Sequence, residues 1–396
     1  MSINILSSPI NHAPVYSPLI YTVNAPTLLG EDNFRYICQI KDGANVIITL
    51  KSFPHPQFGY GRFDINRIIN SLLSEAVDFD SGVFSASEIT KQLTAEFGWS
   101  YTDGNYVEVL NNQSDTKTYF NGAPTYQEYN DIIEANPQHP YVITSGDGYE
   151  KYPLTSRRTI ETLDNTRQWV YYISSIWQNI RYLDVRNDSN QAIQRIDLPS
   201  SLRNNTDGKV VAFRADKGFI EANTSFTELQ KWSVRTSDAS TNPTSRFISF
   251  RLLECQKWSP YHLYYLNRFG GMDSLGFSGK SQRYERSEQK RYQTDPINIG
   301  ADGTVNYTTT NHSRKAYWTE ASQRYILNSA WINYTTQLHI QDLQSSPLVW
   351  MENETGDILP VQINQETFEV EDDATTDVKS VRMEVEYIEP TKRQQV

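Results

Sequence analysis

The sequence is poor in the residues from which small chemical sites are built. Its 396 residues include 2 cysteines and 6 histidines. Cys38 and Cys255 match no metal-ligand spacing, and each reads as a small buried thiol suited to a reducing cytoplasm. His12, His55, His139, His262, His312 and His339 are scattered and form no His-x-x-x-His pair, so a helical zinc motif is excluded. The nucleophile elbow Gly-x-Ser-x-Gly is missing, which leaves a hydrolase triad without an anchor. Nothing approaches the about 18 consecutive apolar residues that a membrane-spanning helix needs. Residues 1–30 lack a basic stretch and carry Pro9, Pro14, Pro18 and Pro26, which reads as an extended arm and not a signal peptide. Positive charge is also in deficit. Lys and Arg number 36 against 47 Asp and Glu, and a net charge of −11 argues against wrapping nucleic acid, where phosphates demand surplus cations.

Aromatic residues are plentiful, at 12% with 25 Tyr and 8 Trp. Strands favour such side chains, and Tyr also suits large interfaces. Phe34, Tyr36, Cys38 and Ile40 alternate with Arg35, Ile37 and Gln39. After Lys41-Asp42-Gly43-Ala44, Val46, Ile48 and Leu50 alternate with Ile47, Thr49 and Lys51, which predicts a hairpin. Ile248, Phe250 and Leu252 form another period-two run, as do Val381, Met383, Val385 and Tyr387. Helices are few. One is predicted over Asp64 to Ala76, with Asp64 as cap and Phe63 stapled to Ile68. A second follows Thr319 on the stripe Leu327, Trp331, Tyr334 and Leu338, ending by Pro347. Asn111 to Pro140 is polar and Tyr-rich, and reads as a long loop or small insertion. The expected fold is mainly β, several β-sandwich domains with one or two short helices. The limits read as an arm over 1–26 and β domains over 27–152, 153–295 and 296–396.

Two near-motifs fail on spacing. Ser274 stands where a phosphate-binding loop ending at Gly279-Lys280-Ser281 needs glycine, so no nucleotide site is expected. Asp78-Phe79-Asp80-Ser81-Gly82 resembles the start of a calcium loop, but its glycine comes one position early and Ile89 replaces the closing glutamate. A polar turn is the reading there. No catalytic residue, cofactor or metal is therefore expected.

The most distinctive stretch runs from Trp258 to Phe277. Tyr261, Tyr264, Tyr265 and Phe269 lead into Gly270-Gly271, and the chain returns through Asp273 and Phe277. Lys280, Arg283, Arg286, Lys290 and Arg291 follow, opposed only by Glu285 and Glu288, a local excess of +3. This run reads as a solvated strand face, as a docking patch for an acidic neighbour, or as a nucleic-acid contact. Glu366, Glu369, Glu371, Asp372 and Asp373 form an acidic segment that would complement it from another copy.

At these residues the chain resembles structural tail proteins of phages infecting Bacteroidetes, including the crAss-like group. The shared pattern is Leu266, Gly270, Gly271, Asp273 and Phe277. Similar patches are Asn24-Ala25-Pro26, Gly61-Arg62-Phe63-Asp64-Ile65, Tyr119-Phe120-Asn121-Gly122-Ala123-Pro124, Leu343 to Trp350, and Leu359-Pro360-Val361. The resemblance implies several immunoglobulin-like or related β-sandwich domains in a tail hub or ring, made in the host bacterial cytoplasm. It carries no catalytic residue, and the Tyr-rich stretch after Asn111 departs from it. The expected function is structural, through contacts with other copies in a cyclic ring and with neighbouring tail proteins, without nucleic acid or a membrane span. The alternatives are a receptor- or glycan-binding tail module and a tail-associated glycosidase.

Overall fold

The computed structural model describes every residue except 1, 135–138, 145–150, 175–179, 188–192, 200–201, 203–208, 254–256, 296, 308–309, 311–312, 333, 365–369, 373–378, 390–391 and 396. The protein is mainly β, with 51% strand and 11% helix in several sheets, in line with the sequence. It divides into two compact units. The first comprises Met1–Leu252 with Leu266–Asp273, and the second Leu253–Tyr265 with Ser274–Val396.

Unit 1 contains two sandwiches. In the first, strands Asn4–Ser7, Ile20–Asn24 and Gly61–Asp64 form one sheet. The facing sheet orders Ala13–Pro14, Asn105–Phe120, Thr90–Asp103, Asp32–Asp42 and Asn45–Ser52. Tyr21, Val23 and Phe63 meet Tyr36, Cys38, Ile40, Phe97 and Trp99 in one core. Burial pushes the Cys38 thiol up to about 12, so it packs as an apolar group. The expected hairpin at Asp42 forms with Gly43 at φ +58°, the left-handed conformation that glycine adopts at little cost.

The expected arm is part of this core. Ile3, Val15, Leu19, Tyr21 and Val23 are buried, and Ile20–Asn24 is the central strand of the small sheet. Its prolines fall outside that central strand, so they remove no donor from it. The stretch after Asn111 is likewise ordered: strand Asn105–Phe120 continues through it, and a helix spans Tyr126–Glu134. The helix expected over Asp64 to Ala76 shrinks to Asn66–Asn70, with Ile65 at the N-cap and the Asp64 carboxylate accepting only from the Asn66 N–H.

The second sandwich packs the sheet Val142–Ile143, Trp169–Ser174, Lys209–Arg214 and Val83–Ser85 on a five-stranded sheet that contains Lys231–Ser237 and Ile248–Leu252. Trp232 stacks on Phe250, centroids 5.4 Å apart, and donates its indole N–H to the Ala215 carbonyl at 2.9 Å. The largest ring in that core thus leaves no polar atom unpaired.

Unit 2 is built on a nine-stranded sheet. Along its path lie Met272–Phe277, Tyr261–Leu266, Val349–Glu352, Ile358–Ile363, Lys379–Tyr387, Arg314–Ile332 and, at the open edge, Gln282–Gln293. Val381, Met383 and Val385 face the core as their alternation requires. The helix expected after Thr319 starts at Tyr334 and ends at Ser345, because the residues before it lie in a strand, paired with Gln282–Gln293 as far as Ile326 and with Lys379–Tyr387 as far as Ile332. Propensity yields here to ladder hydrogen bonds with partners far away in sequence. Among the described residues no helix is long and apolar enough to cross a membrane.

His12 and His139 are buried together in unit 1, ring centroids 6.3 Å apart. A ring nitrogen of His139 meets the His12 carbonyl at 3.0 Å, and Lys151 Nζ donates to the His139 carbonyl at 2.9 Å. Burial pushes His12 down to about 4 and His139 down to about 3, His139 further through the neighbouring His12. Both rings are therefore neutral in the fold. They support it fully above their ordinary 6.5 and withdraw that support as pH falls towards the folded values. Each histidine should cost about 1.4 kcal/mol of stability per pH unit between about pH 6 and pH 5. His139→Gln should remove its share of that slope in urea titrations run at several pH values. An unchanged slope would mean that the ring carries its proton in the folded protein.

Candidate assembly surface

The aromatic Gly-Gly hairpin is used inside the chain. Its turn, Leu266–Asp273, belongs to unit 1, and its legs belong to unit 2. In the turn the Asn267 N–H donates to the Gly271 carbonyl at 2.8 Å, and the Asn267 side-chain oxygen accepts from the Phe269 and Gly271 N–H groups. Asn267 Nδ2 donates to the Leu154 carbonyl at 2.8 Å, and the Ala123 N–H donates to the Arg268 carbonyl at 2.6 Å. Arg268 pairs with Glu128 at 2.9 Å. Phe269 packs on Tyr141, centroids 4.8 Å apart. Asp273 is buried and accepts from Thr155 Oγ1 at 3.0 Å; burial raises its pKa, opposed chiefly by the Arg157 charge.

In the legs, the Tyr264 hydroxyl donates to Glu352 Oε2 at 2.6 Å and the Tyr265 hydroxyl to the His339 carbonyl at 3.2 Å. Phe277 is fully buried, and the half-buried Tyr261 lies edge-on to Tyr325 at 5.5 Å. Tyr264, Tyr265, Phe269, Gly270, Gly271, Asp273 and Phe277 thus have partners within their own chain. The expectation that they form a subunit contact is corrected accordingly: the apolar content of the stretch serves internal burial.

The basic run is placed differently. Arg283, Arg286, Lys290 and Arg291 lie on the strand Gln282–Gln293, where all 12 residues are exposed. Lys280 precedes the strand, and its ammonium lies 5.8 Å from the Trp258 ring centroid. The basic strand pairs antiparallel with the long strand Arg314–Ile332, and no other strand among the described residues pairs with it. Even-numbered side chains occupy one face and odd-numbered ones the other. On the even face, Arg286 Nη2 meets Glu288 Oε1 at 2.7 Å and Lys290 lies 4.8 Å from the Trp318 centroid. On the odd face, Arg283 approaches Glu354 at 3.7 Å. These are solvent-exposed pairs, each worth about 0–1 kcal/mol.

Each face borders a cavity in unit 2. One of about 330 Å³ is lined by Arg286, Glu288, Glu320, Ser322, Asn364 and Glu386. The other, of about 410 Å³, is lined by Arg283, Tyr325, Asn353, Glu354, Leu359 and Tyr387. Beyond the basic strand, Ile297–Ile299 and Val305–Tyr307 form a small ladder that leaves Ile299 and Val305 exposed.

No family model matches the chain, and no curated protein matches it. Among solved structures, a crystal structure of a mutant Salmonella alpha-2-macroglobulin is similar at 9% identity with a TM-score of 0.17. The alignment covers 100% of this chain and 34% of that one, so the present chain spans about a third of its length. That likeness carries no argument.

The acidic segment meets the basic run only in part. Glu366, Glu369 and Asp373 lie outside the described residues. Glu371 and Asp372 sit in the strand Val370–Asp372, opposite Ser380 and Lys379 of their own chain. Among the described residues no group of three or more His, Cys, Asp or Glu could hold a metal ion. Around Asp78, the near-calcium turn is closed by its own Asp80 and Ser81 N–H groups, both 2.9 Å from Asp78 Oδ1. Sequence reasoning missed that this strand has one strand partner among the described residues, since a run of polar and charged residues does not say whether one or both sides of a strand are paired.

Gly270 sets the hairpin turn. Its φ is +81°, and a Cβ there would stand 1.7 Å from the Asn121 carbonyl oxygen. Gly270→Ala should therefore destabilise unit 1 by about 3 kcal/mol or more, read as an earlier urea midpoint. A midpoint equal to that of the unchanged protein would show that the turn is not clamped against Asn121.

Proposed function

We propose that this chain is a structural, non-enzymatic component of a phage tail, a hub or ring protein made in the host bacterial cytoplasm and built into the virion through protein–protein contacts. The observation that carries this reading is the basic strand, a 12-residue edge exposed on both faces. A long unpaired edge invites another chain, and proteins that do not use such edges shorten, twist or cover them. Exposed Tyr284, Tyr292 and Tyr317 add the aromatic surface that interfaces favour. The tail assignment itself rests on the sequence resemblance around Leu266 to Phe277. Its partners would be copies of the chain and flanking tail proteins, without nucleic acid.

A receptor- or glycan-binding tail module is the second reading. It is favoured by the 410 Å³ cavity, whose wall combines Tyr325 and Tyr387 with Arg283, Asn353 and Glu354. Retention on a column of host capsular polysaccharide would support that reading over assembly.

The assembly reading predicts the outcome of reversing Arg283, Arg286 and Arg291 to glutamate together. All three are exposed and none anchors the core, so the melting temperature should move by about 2 °C at most. Incorporation into tail particles reconstituted with neighbouring virion proteins should fall at least about tenfold, since rim charges set register and association rate. Normal incorporation would leave the run as a solvated face.

A further inference from the structure

We propose that the basic strand pairs edge to edge with the same strand of a second copy, antiparallel, about a two-fold axis centred on Gln289. The inference rests on the assembly reading and names the partner and register of that surface. In an antiparallel ladder, successive residues turn their N–H and C=O groups alternately to the two sides. The strand already gives one side to Arg314–Ile332, and the register shift between Lys290 and Arg291 is taken up by the partner strand, which skips Tyr317, so the basic strand keeps its alternation. Two identical strands meeting at the other side can therefore pair only in registers centred on a residue, where opposed positions have the same parity.

Charge then separates the registers. Centring on Arg286, Glu288 or Lys290 opposes that residue to its own copy, placing like charges on the axis. Centring on Ser287 sets Arg283 against Arg291 on both sides of the axis. Centring on Gln289 opposes no like charges. Glu288 of each copy then faces Lys290 of the other, Arg286 faces Tyr292, Ser287 faces Arg291, and Glu285 faces Gln293.

All these side chains are exposed, and Glu288, already 2.7 Å from its own Arg286, would sit between two cations. Arg286 opposite Tyr292 is a cation–π arrangement, made twice by symmetry. A strand whose residues 285–293 complement themselves in one register points to a second copy ahead of an unrelated partner.

The test mixes two charge variants of the full chain. Glu288→Lys places Lys opposite Lys290 of the other copy, and Lys290→Glu places Glu opposite Glu288. In sedimentation at low salt each variant alone should self-associate at least about tenfold more weakly than the unchanged chain. An equimolar mixture should recover the original association as heterodimers. Higher salt should weaken every form, as the screening length shortens. Gln289→Cys should form an oxidised covalent dimer, because residues on the axis stand about 4.5–5.5 Å apart, within disulfide reach. Gln293→Cys should not, its copies being about 27 Å apart along the strands.

A mixture no stronger than either variant alone, or equal cross-linking at both cysteines, would overturn the register. An unchanged chain that stays monomeric yet still enters tail particles would overturn edge pairing and spare the tail reading. Heterodimers formed by a chain that never enters such particles would do the reverse.

Discussion

A strand exposed on both faces has little but its backbone ladder to hold it in place. For Gln282–Gln293 that ladder is made with Arg314–Ile332, and the organisation of unit 2 follows from how this longer strand is divided. Towards its C-terminal end, Tyr325, Leu327 and Ile332 enter the core and the strand pairs with Lys379–Tyr387. Towards its other end it leaves the core, pairs with Lys392–Gln395 on one side and carries the basic strand along the other. The buried half supplies apolar area, at about 25 cal/mol per Å², and the ladder passes that rigidity to the exposed half. A two-stranded ribbon without such an anchor is marginal in water.

The aromatic surplus has two destinations. Most of the Tyr rings discussed above are interior, and the fold finds partners for their hydroxyls. Tyr21 donates to Asp115 and meets Tyr119, Tyr36 donates to the Gly59 carbonyl, and Tyr171 to the Ala76 carbonyl. Each buried ring contributes large area at little polar cost once its oxygen is satisfied. A smaller set, Tyr284, Tyr292 and Tyr317, stays exposed beside the basic run. Composition alone cannot sort the two sets, because the same ring serves a core and an interface equally well.

Local patterns were legible where local forces decide. The Asp42-Gly43 turn and its alternating flanks gave the first hairpin, and the alternation from Val381 to Tyr387 gave a half-buried strand. The Gly-Gly reversal was legible as a turn, but not its surroundings, since Asn121 and Leu154 lie more than a hundred residues upstream. The stripe at Leu327 and Trp331 misled for the same reason: helical spacing is visible in a window, whereas pairing with Met383 and Ser380 is not. His12 and His139, 127 positions apart, left no local signal of their contact.

The charge balance bears on where copies of such a chain can meet. A net charge of −11 makes two copies repel at a distance, and that repulsion is largely screened beyond about 8 Å at physiological salt. Pair interactions at contact are screened less, so the local pattern outweighs the total once surfaces touch. On the basic strand that pattern alternates in sign, with Arg283, Arg286 and Lys290 interleaved with Glu285 and Glu288. Such a strand discourages indiscriminate edge pairing, because moving the centre by one or two residues from Gln289 brings like charges together, and it leaves the matched register favourable. The same charges therefore account both for a long edge surviving in solution and for its selectivity once a partner arrives.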